Sequence, residues 1–186
     1  MDQKVLLFYL SLADEPKDKS KIEIIYNECY SYMCGKAATV LKNQSDIEDA
    51  VHNAMLKIIE HIDEIDVSDM ARTKALCGII ARNKAIDICR LKDNNTAETY
   101  PNDASPETRI PPEEIVLGAE TYRILVESIK KLDGAYKDIF TLKYLLNYKE
   151  REIAEILDIP PKTVATRIYR GKQILRKMLE KEGLYV

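Results

Sequence analysis

The chain has 186 residues, a formal net charge of −3 at pH 7 and a hydrophobic share of 46%. This apolar content is enough for real cores and excludes a disordered chain. With six glycines and no tryptophan, its long runs rich in Leu, Ile, Glu and Lys favour helices over strands. We therefore predict an all-α protein of one or two compact domains.

The first predicted element is a helix in the apolar segment VLLFYLSLA, residues 5–13. We expect Leu6, Leu7 and Leu10 to pack this helix on its neighbours. The segment superficially resembles the apolar region of a signal peptide, but it soon meets acidic residues. No stretch approaches the ~20 apolar residues that a membrane span needs. We therefore expect a cytoplasmic protein without direct membrane insertion.

The cysteine and histidine pattern predicts neither a metal site nor a cofactor. Cys29, Cys34, Cys77 and Cys89 form no CxxC pair, and His52 and His61 lack a metal-site spacing to them. We expect the four cysteines to be buried free thiols. No motif combines a nucleophile, a base and an orienting acid, so no enzymatic activity is expected.

A central helix is predicted to begin at Ser45, because Ser45 and Glu48 have the spacing of a capping box. An apolar stripe then recurs every three or four residues and predicts a buried face: Ile47, Val51, Ala54, Ile58, Ile62 and Ile65. Leu56 falls opposite this stripe. Around it lie Asp49, His52, Asn53, Ile59 and Glu60. This outer face is either a docking surface for another protein or an ordinary exposed leucine on a solvated helix.

A second helix is predicted in ARTKALCGIIARNKAIDICRLK, residues 71–92. Its apolar positions are Leu76, Ile79, Ile80, Ile86 and Ile88. Its charged positions are Arg72, Lys74, Arg82, Lys84, Arg90 and Lys92 against Asp87 alone. Such a basic face suits phosphates, but on one helix it fits a solvated surface equally well.

The clearest internal boundary is NNTAETYPNDASPETRIPP, residues 94–112, which holds four of the seven prolines. It shows no apolar periodicity, so we predict a flexible linker there. This linker separates an N-terminal domain, residues 1–93, from a C-terminal domain, residues 113–186. No internal repeat relates the two.

The C-terminal domain contains YKEREIAEILDIPPKTVATRIYRGKQILRK, residues 148–177. A short helix meets a turn at Asp158, and a longer helix restarts at the prolines. Ala154 is small where two helices approach closely, Asp158 tolerates a left-handed backbone, and Pro161 suits the first turn of a helix. This order predicts a helix-turn-helix.

The second helix of this motif has one apolar and one basic face. Val164, Ile168, Leu175 and Leu179 fall within about 60° of one another and predict the core side. On the opposite side lie Thr163, Thr166, Arg170, Gln173 and Lys177, with Arg167 beside them. Residues 159–177 contain six basic residues and no acidic one. Such a face fits a recognition helix whose threonines and arginines reach bases or phosphates while later lysines neutralise the backbone.

Taken together, the chain resembles an extracytoplasmic-function sigma factor, the smallest type of bacterial sigma-70-family initiation factor. Three stretches carry the resemblance, in the family's order. SDIEDAVHNAMLKII resembles the polymerase-binding helix, IIARNKAIDICR the promoter-melting helix, and YKEREIAEILDIPPKTVATRIYRGKQILR the upstream-element reader. The implied fold is all-α: sigma domain two and a helix-turn-helix sigma domain four, joined by the flexible linker.

The resemblance also implies partners and sites. Core RNA polymerase would supply all the chemistry, and promoter DNA would be the second partner. Polymerase binding would fall to Asp49, His52, Asn53 and Leu56. The −10 element would face Arg82, Asn83, Asp87 and Arg90. The −35 element would be read by Thr163, Thr166, Arg167 and Arg170, with Lys177 nearby. Relatives are often held by an anti-sigma factor, so a regulator of that class is expected.

Some positions depart from the family pattern. Leu76 stands where relatives commonly have tryptophan and Thr73 where many have an aromatic, so base stacking near the melted strand is expected to be weaker or placed elsewhere. Pro160 replaces the usual serine cap, and Ala165 replaces a frequent basic residue. The loop at residues 63–70 is unusually acidic.

Two other classes of protein fit parts of the pattern. A stand-alone helix-turn-helix repressor explains the C-terminal domain, but it leaves the central helix and the basic second helix unexplained. A helical interaction protein explains the bundles without DNA and predicts that Arg167 and Arg170 are dispensable. Salt-sensitive binding to duplex DNA would argue against that second alternative.

Overall fold

The computed structural model describes residues 3–92 and 119–181. Every regular element in these two ranges is helical, which confirms the all-α prediction. The α-helices are α1 (Gln3–Ser11), α2 (Pro16–Ala37), α3 (Gln44–Glu60), α4 (Met70–Lys92), α5 (Ala119–Lys130), α6 (Gly134–Phe140), α7 (Glu150–Ile156) and α8 (Pro161–Lys181). A 3₁₀ turn, Ile62–Glu64, follows α3, and a π-helical turn, Thr141–Leu145, follows α6.

The chain divides into two compact units, Met1–Glu98 and Thr99–Val186. The predicted linker at residues 94–112 lies outside the described residues, so the domain bounds 1–93 and 113–186 stay predictions. Among the helices that the structure describes, none has the length and apolar content to cross a bilayer.

The core of the first unit is built by α2, α3 and α4. The buried apolar side chains of α2 recur three or four positions apart: Ile22, Ile25, Cys29 and Met33. All six residues of the stripe predicted on α3 are buried, which confirms that face. However, α3 ends at Glu60, so the last two members lie beyond the helix. Ile62 is in the 3₁₀ turn and Ile65 follows it.

The start of α3 differs from the predicted capping box. Asn43 is the N-cap, and its side chain accepts a hydrogen bond from the Ser45 N–H at 2.9 Å. Ser45 therefore lies inside the first turn, and Glu48 instead accepts from the side chain of Gln44 at 2.8 Å. Asparagine and serine are about equally good N-caps. The two candidates stand two residues apart, and the sequence pattern selected the wrong one.

The four cysteines are free thiols. Cys29 and Cys77 are buried as predicted, whereas Cys34 and Cys89 are half-buried. The hydrogen bond that the Cys77 thiol donates to Cys29, together with burial, raises the pKa of Cys77 well above its usual value, so this thiol stays protonated at neutral pH. Within the described ranges, no three His, Cys, Asp or Glu side chains are grouped as a metal site would require.

α1 packs on its neighbours through Tyr9, and the prediction for this helix was partly wrong. Tyr9 is almost completely buried. Leu6 and Leu10 are half-buried, but Leu7 is exposed. The two-residue step from Leu7 to Tyr9 is a rotation of about 200° around a helix. Once Tyr9 faces inward, Leu7 must face outward.

In the second unit, α8 packs its apolar face against α6 and α7. Val164, Ile168 and Leu175 are buried as predicted, whereas Leu179 is half-buried. Gly171 lies on the same face, and the ring of Phe140 fills the space beside it. A Cβ added to Gly171 would lie 2.2 Å from Cε2 of Phe140, so glycine is required for this close approach of α6 and α8.

Gly171→Ala is expected to lower the free energy of unfolding of the second unit by about 1–3 kcal/mol, because the added methyl group overpacks the Phe140 ring. The matched control is Gly35→Ala in α2, where an added Cβ meets no atom within 4 Å. That change should raise stability by about 0.5–1 kcal/mol, since alanine is the better helix former. Chemical denaturation followed by circular dichroism measures both. Stabilisation by Gly171→Ala would contradict the packing described here.

Candidate nucleic-acid interface

α7 ends in a tight turn in which Asp158 takes the left-handed conformation. Its φ angle is 50°, in a region where aspartate is more often found than most other non-glycine residues. The N–H of Ile159 donates to the Ala154 carbonyl at 3.0 Å, and the N–H of Asp158 donates to the Glu155 carbonyl at 3.3 Å. This pair of bonds is a Schellman motif, which satisfies the last carbonyls of the helix. The predicted turn is confirmed.

α8 begins at Pro161, as predicted. The carbonyl of Pro160 accepts the N–H of Thr163 at 2.8 Å and that of Val164 at 3.3 Å. Pro160 therefore starts the helix through its backbone. The missing N–H of Pro161 costs nothing, because N–H groups of a first turn have no partner inside the helix. Together, α7, the turn and α8 form the predicted helix-turn-helix.

The predicted DNA-reading face of α8 lies opposite its buried stripe. Its members are Thr163, Thr166, Arg167, Arg170 and Lys177. Thr166, Arg170 and Lys177 lie within about 40° of one another, whereas Arg167 lies about 60° from Arg170 toward the core side. Lys177 is exposed and the other four are half-buried. The hydroxyl of Thr166 donates to the Lys162 carbonyl at 2.8 Å, and its oxygen keeps lone pairs that can accept from a base.

The charge on α8 is almost entirely positive. From Pro161 to Leu179 the helix carries no acidic residue, and the first one is Glu180. The Oε1 atom of Glu180 lies 2.9 Å from Nε of Arg176, which is about 120° around the helix from Arg170. A face that combines cations with short hydroxyls attracts the phosphate backbone and also offers groups that can reach base edges.

The four residues predicted on α4 do not share one narrow face. Asn83, Asp87 and Arg90 lie within about 60° of one another, whereas Arg82 lies about 80–140° away from them. Two of these three residues carry opposite charges close together, since Nη1 of Arg90 is 3.9 Å from Oδ1 of Asp87. Arg90 is exposed, and the other three are half-buried. α4 thus presents three of the four on one side and Arg82 beside them.

Thr73 and Leu76, which depart from the family pattern, are both buried. The hydroxyl of Thr73 donates to the carbonyls of Asp66 and Asp69, both at 3.0 Å. Thr73 therefore ties the preceding loop to the first turn of α4. Because Leu76 belongs to the core, neither side chain is exposed for stacking on a base.

The acidic loop at residues 63–70 has a structural role that the sequence reasoning missed. A carboxylate oxygen of Asp69 accepts the N–H of Arg72 at 3.1 Å and so caps α4. Asp66 accepts the N–H of Ser68 at 2.9 Å, and this bond lowers the pKa of Asp66 below its usual value. An aspartate just before a run of helix formers is the signal that could have revealed the cap.

The outer face of α3 brings its four predicted residues together. Asp49, His52, Asn53 and Leu56 lie within about 100° of one another. Asp49 and Asn53 are exposed, and Leu56 is half-buried. His52 is covered on one side by α1: its Nδ1 lies 2.8 Å from the hydroxyl of Tyr9, and its ring centroid lies 5.9 Å from that of Phe8. The sequence reasoning missed this contact, which spans more than forty residues.

These features define a DNA-binding protein of the helix-turn-helix type that carries a second helical unit. Residues 25–95 match the family described as Sigma-70 region 2, and residues 122–175 match Sigma-70, region 4. The chain is 31% identical to the ECF RNA polymerase sigma factor SigW of Bacillus subtilis over 180 residues, which cover 92% of this chain and 88% of that protein.

Two further relatives agree with this match. The ECF RNA polymerase sigma factor SigL of Mycobacterium tuberculosis is 24% identical over 163 residues, 86% of this chain and 89% of that protein. The ECF RNA polymerase sigma-E factor of Haemophilus influenzae is 33% identical over 69 residues, 37% of this chain and 36% of that protein.

The chain belongs to the extracytoplasmic-function sigma factors of the sigma-70 family. It is an RNA polymerase sigma factor that directs promoter-specific transcription initiation. Region 2 falls in the first compact unit and region 4 in the second. The similarity to SigW spans most of the chain, whereas a stand-alone repressor or a helical interaction protein would explain only part of it.

Proposed function

We propose that the outer face of α8 reads the −35 element of the promoter. The observation that carries this proposal is the acid-free face that follows the helix-turn-helix turn. Thr163 and Thr166 lie near the N-terminal end of α8, the part of a recognition helix that meets base edges. Arg167 and Arg170 follow within the next turn and can bind guanine or phosphate. Lys177 lies farther along and neutralises the DNA backbone.

The −10 element is the proposed ligand of α4. Asn83 offers both a donor and an acceptor to a base, and Arg90 offers a cation to a phosphate. Asp87 lies beside Arg90, with Oδ1 of Asp87 3.9 Å from Nη1 of Arg90. Arg82 flanks these three residues and extends the basic character of the surface around the helix.

Core RNA polymerase is the proposed partner of the outer face of α3. Leu56 supplies an apolar centre, and Asp49 and Asn53 form a polar rim beside it. An apolar anchor surrounded by polar groups is typical of the energetically dominant part of a protein interface. His52 belongs to the same face, where it contacts α1.

The same function suggests a regulator and a location. An anti-sigma factor could block transcription by occupying the face of α3 or of α8 before polymerase or DNA does. The protein is proposed to work in the cytoplasm, together with core polymerase and promoter DNA. Polymerase supplies the phosphoryl-transfer chemistry, so the chain needs neither a cofactor nor a catalytic residue.

Arg170→Ala is expected to weaken transcription from promoters that carry a −35 element by about 5- to 150-fold, the effect of losing one bidentate base contact. The matched control is Arg176→Ala, which removes the same charge from another side of α8 and should have a much smaller effect. Transcript yields from templates with an intact and a scrambled −35 element measure the difference. An equal loss on both templates would show that Arg170 does not read this element.

Leu56→Asp is expected to weaken binding to core polymerase by more than about tenfold, because it places a charge at the apolar centre of the interface. The matched control is Leu91→Asp, which makes the same change on α4 at a side chain that is 77% exposed. Binding is measured by titrating polymerase into the labelled full chain, and circular dichroism checks that both variants fold. Unchanged binding by a folded Leu56→Asp variant would place the polymerase face elsewhere.

A further inference from the structure

α1 lies before the residues that match sigma-70 region 2, which begin at residue 25. It nevertheless carries unusual apolar exposure: Leu7 is 61% exposed, Phe8 is 46% exposed, and Leu12, directly after the helix, is 45% exposed. These are half of the six large hydrophobic side chains found exposed in the described residues. Single exposed hydrophobic residues are ordinary, but a cluster within six positions indicates a surface that another molecule covers.

The position of α1 is fixed by Tyr9. The Tyr9 ring is buried, with its centroid 5.9 Å from that of Tyr26 and 5.6 Å from that of His52. Burial raises the pKa of Tyr9 far above its usual value, so the hydroxyl keeps its proton at neutral pH. The 2.8 Å bond between this hydroxyl and Nδ1 of His52 joins α1 to α3. The apolar side chains of α1 are therefore held at a defined place beside the face of α3.

Of the three exposed side chains, Phe8 lies beside that face. Leu7 lies about 100° from Phe8 around α1. Leu12 follows the helix in a turn, where its N–H donates to the Tyr9 carbonyl at 3.2 Å. The rings of Phe8 and His52 lie 5.9 Å apart with an interplanar angle of 30°. On α3, Leu56 follows His52 by one turn. Phe8, His52 and Leu56 thus form a continuous row from α1 to α3.

We propose that Phe8 and Leu12 extend the polymerase-binding face of α3, so that core RNA polymerase covers α1 and α3 together. This inference rests on the proposed function of the α3 face. A partner that contacts Leu56 and the edge of His52 would also meet the exposed ring of Phe8, because that ring lies directly beside His52. His52 is then a positioning residue. It holds α1 in place through Tyr9, and α1 supplies the apolar contacts.

The test compares charge substitutions on the two sides of α1 in the full chain. The double variant Phe8→Asp with Leu12→Asp is expected to bind core polymerase at least about tenfold more weakly, since it places two charges in an apolar contact. The matched control, Leu7→Asp, adds the same kind of charge to the more exposed position and should bind within about twofold of the unchanged protein. Titration of polymerase into the labelled chain gives both affinities.

A second variant separates positioning from contact. Tyr9→Phe keeps the buried ring and removes the hydrogen bond to His52, so it should weaken polymerase binding by about threefold, as expected for one partly buried hydrogen bond. It should also increase the rate of hydrogen exchange at the α1 amides. That rate would stay unchanged if His52 did not hold α1 in place. Full affinity with unchanged exchange would overturn the positioning role.

The outcomes distinguish this inference from the proposal beneath it. If Leu56→Asp loses binding while the folded Phe8 and Leu12 double variant keeps full affinity, the inference is wrong and the α3 face stands. If Leu56→Asp itself binds normally, the proposed function of that face fails. The uncharged double variant Phe8→Ser with Leu12→Ser should also weaken binding. It replaces the aspartate double variant if the aspartates disturb folding. The unchanged protein could instead form a dimer that the double substitution disrupts, with polymerase affinity unaltered. That result would assign the surface to a second copy of the chain and overturn the inference.

Discussion

The burial of one apolar stripe on each amphipathic helix decides which side chains the protein offers to its partners. On α8, Val164 and Ile168 are buried, and Gly171 lets the Phe140 ring approach the helix closely. The rotation of α8 is thereby fixed, and its threonines and arginines lie on the side away from the core, which we propose binds DNA. The same constraint acts on α3, where the buried stripe turns Leu56 outward. The side chains buried in each core therefore determine which side chains of the same helix face outward.

The ends of the helices are controlled by backbone bonds as much as by side-chain burial. The left-handed Asp158 turns the chain between α7 and α8, and Pro160 starts α8 through its carbonyl alone. At α4 the cap is Asp69, supported by the buried hydroxyl of Thr73. Two of the acidic residues in that loop, Asp66 and Asp69, are therefore explained by turn formation and capping. Nothing about them requires contact with nucleic acid.

The sequence predicted those features that depend on helical periodicity. The stripes of α3 and α8 and the turn at Asp158 required only the spacing of residues along the chain and their local preferences. The sequence did not predict Gly171 against Phe140, or Tyr9 against His52, because each contact joins distant segments. The cap of α3 was misplaced for a different reason, since Asn43 and Ser45 are nearly equivalent choices. Leu7 was misplaced because periodicity in a short apolar helix does not reveal which side faces inward.

The contact between α1 and α3 bears on the face that we propose for polymerase binding. From sequence, His52 was a surface residue of one helix. In the structure its ring lies beside those of Phe8 and Tyr9, so side chains of α1 border the proposed face of α3. One of these helices lies outside the matched region 2 residues.

A sigma factor directs initiation only after it has joined core RNA polymerase. The most direct measurement mixes the purified full chain with bacterial core polymerase and follows both by gel filtration. We expect the two to co-elute as one complex, which then starts transcripts at defined promoter positions. Separate elution of a folded chain and an active core polymerase would contradict it.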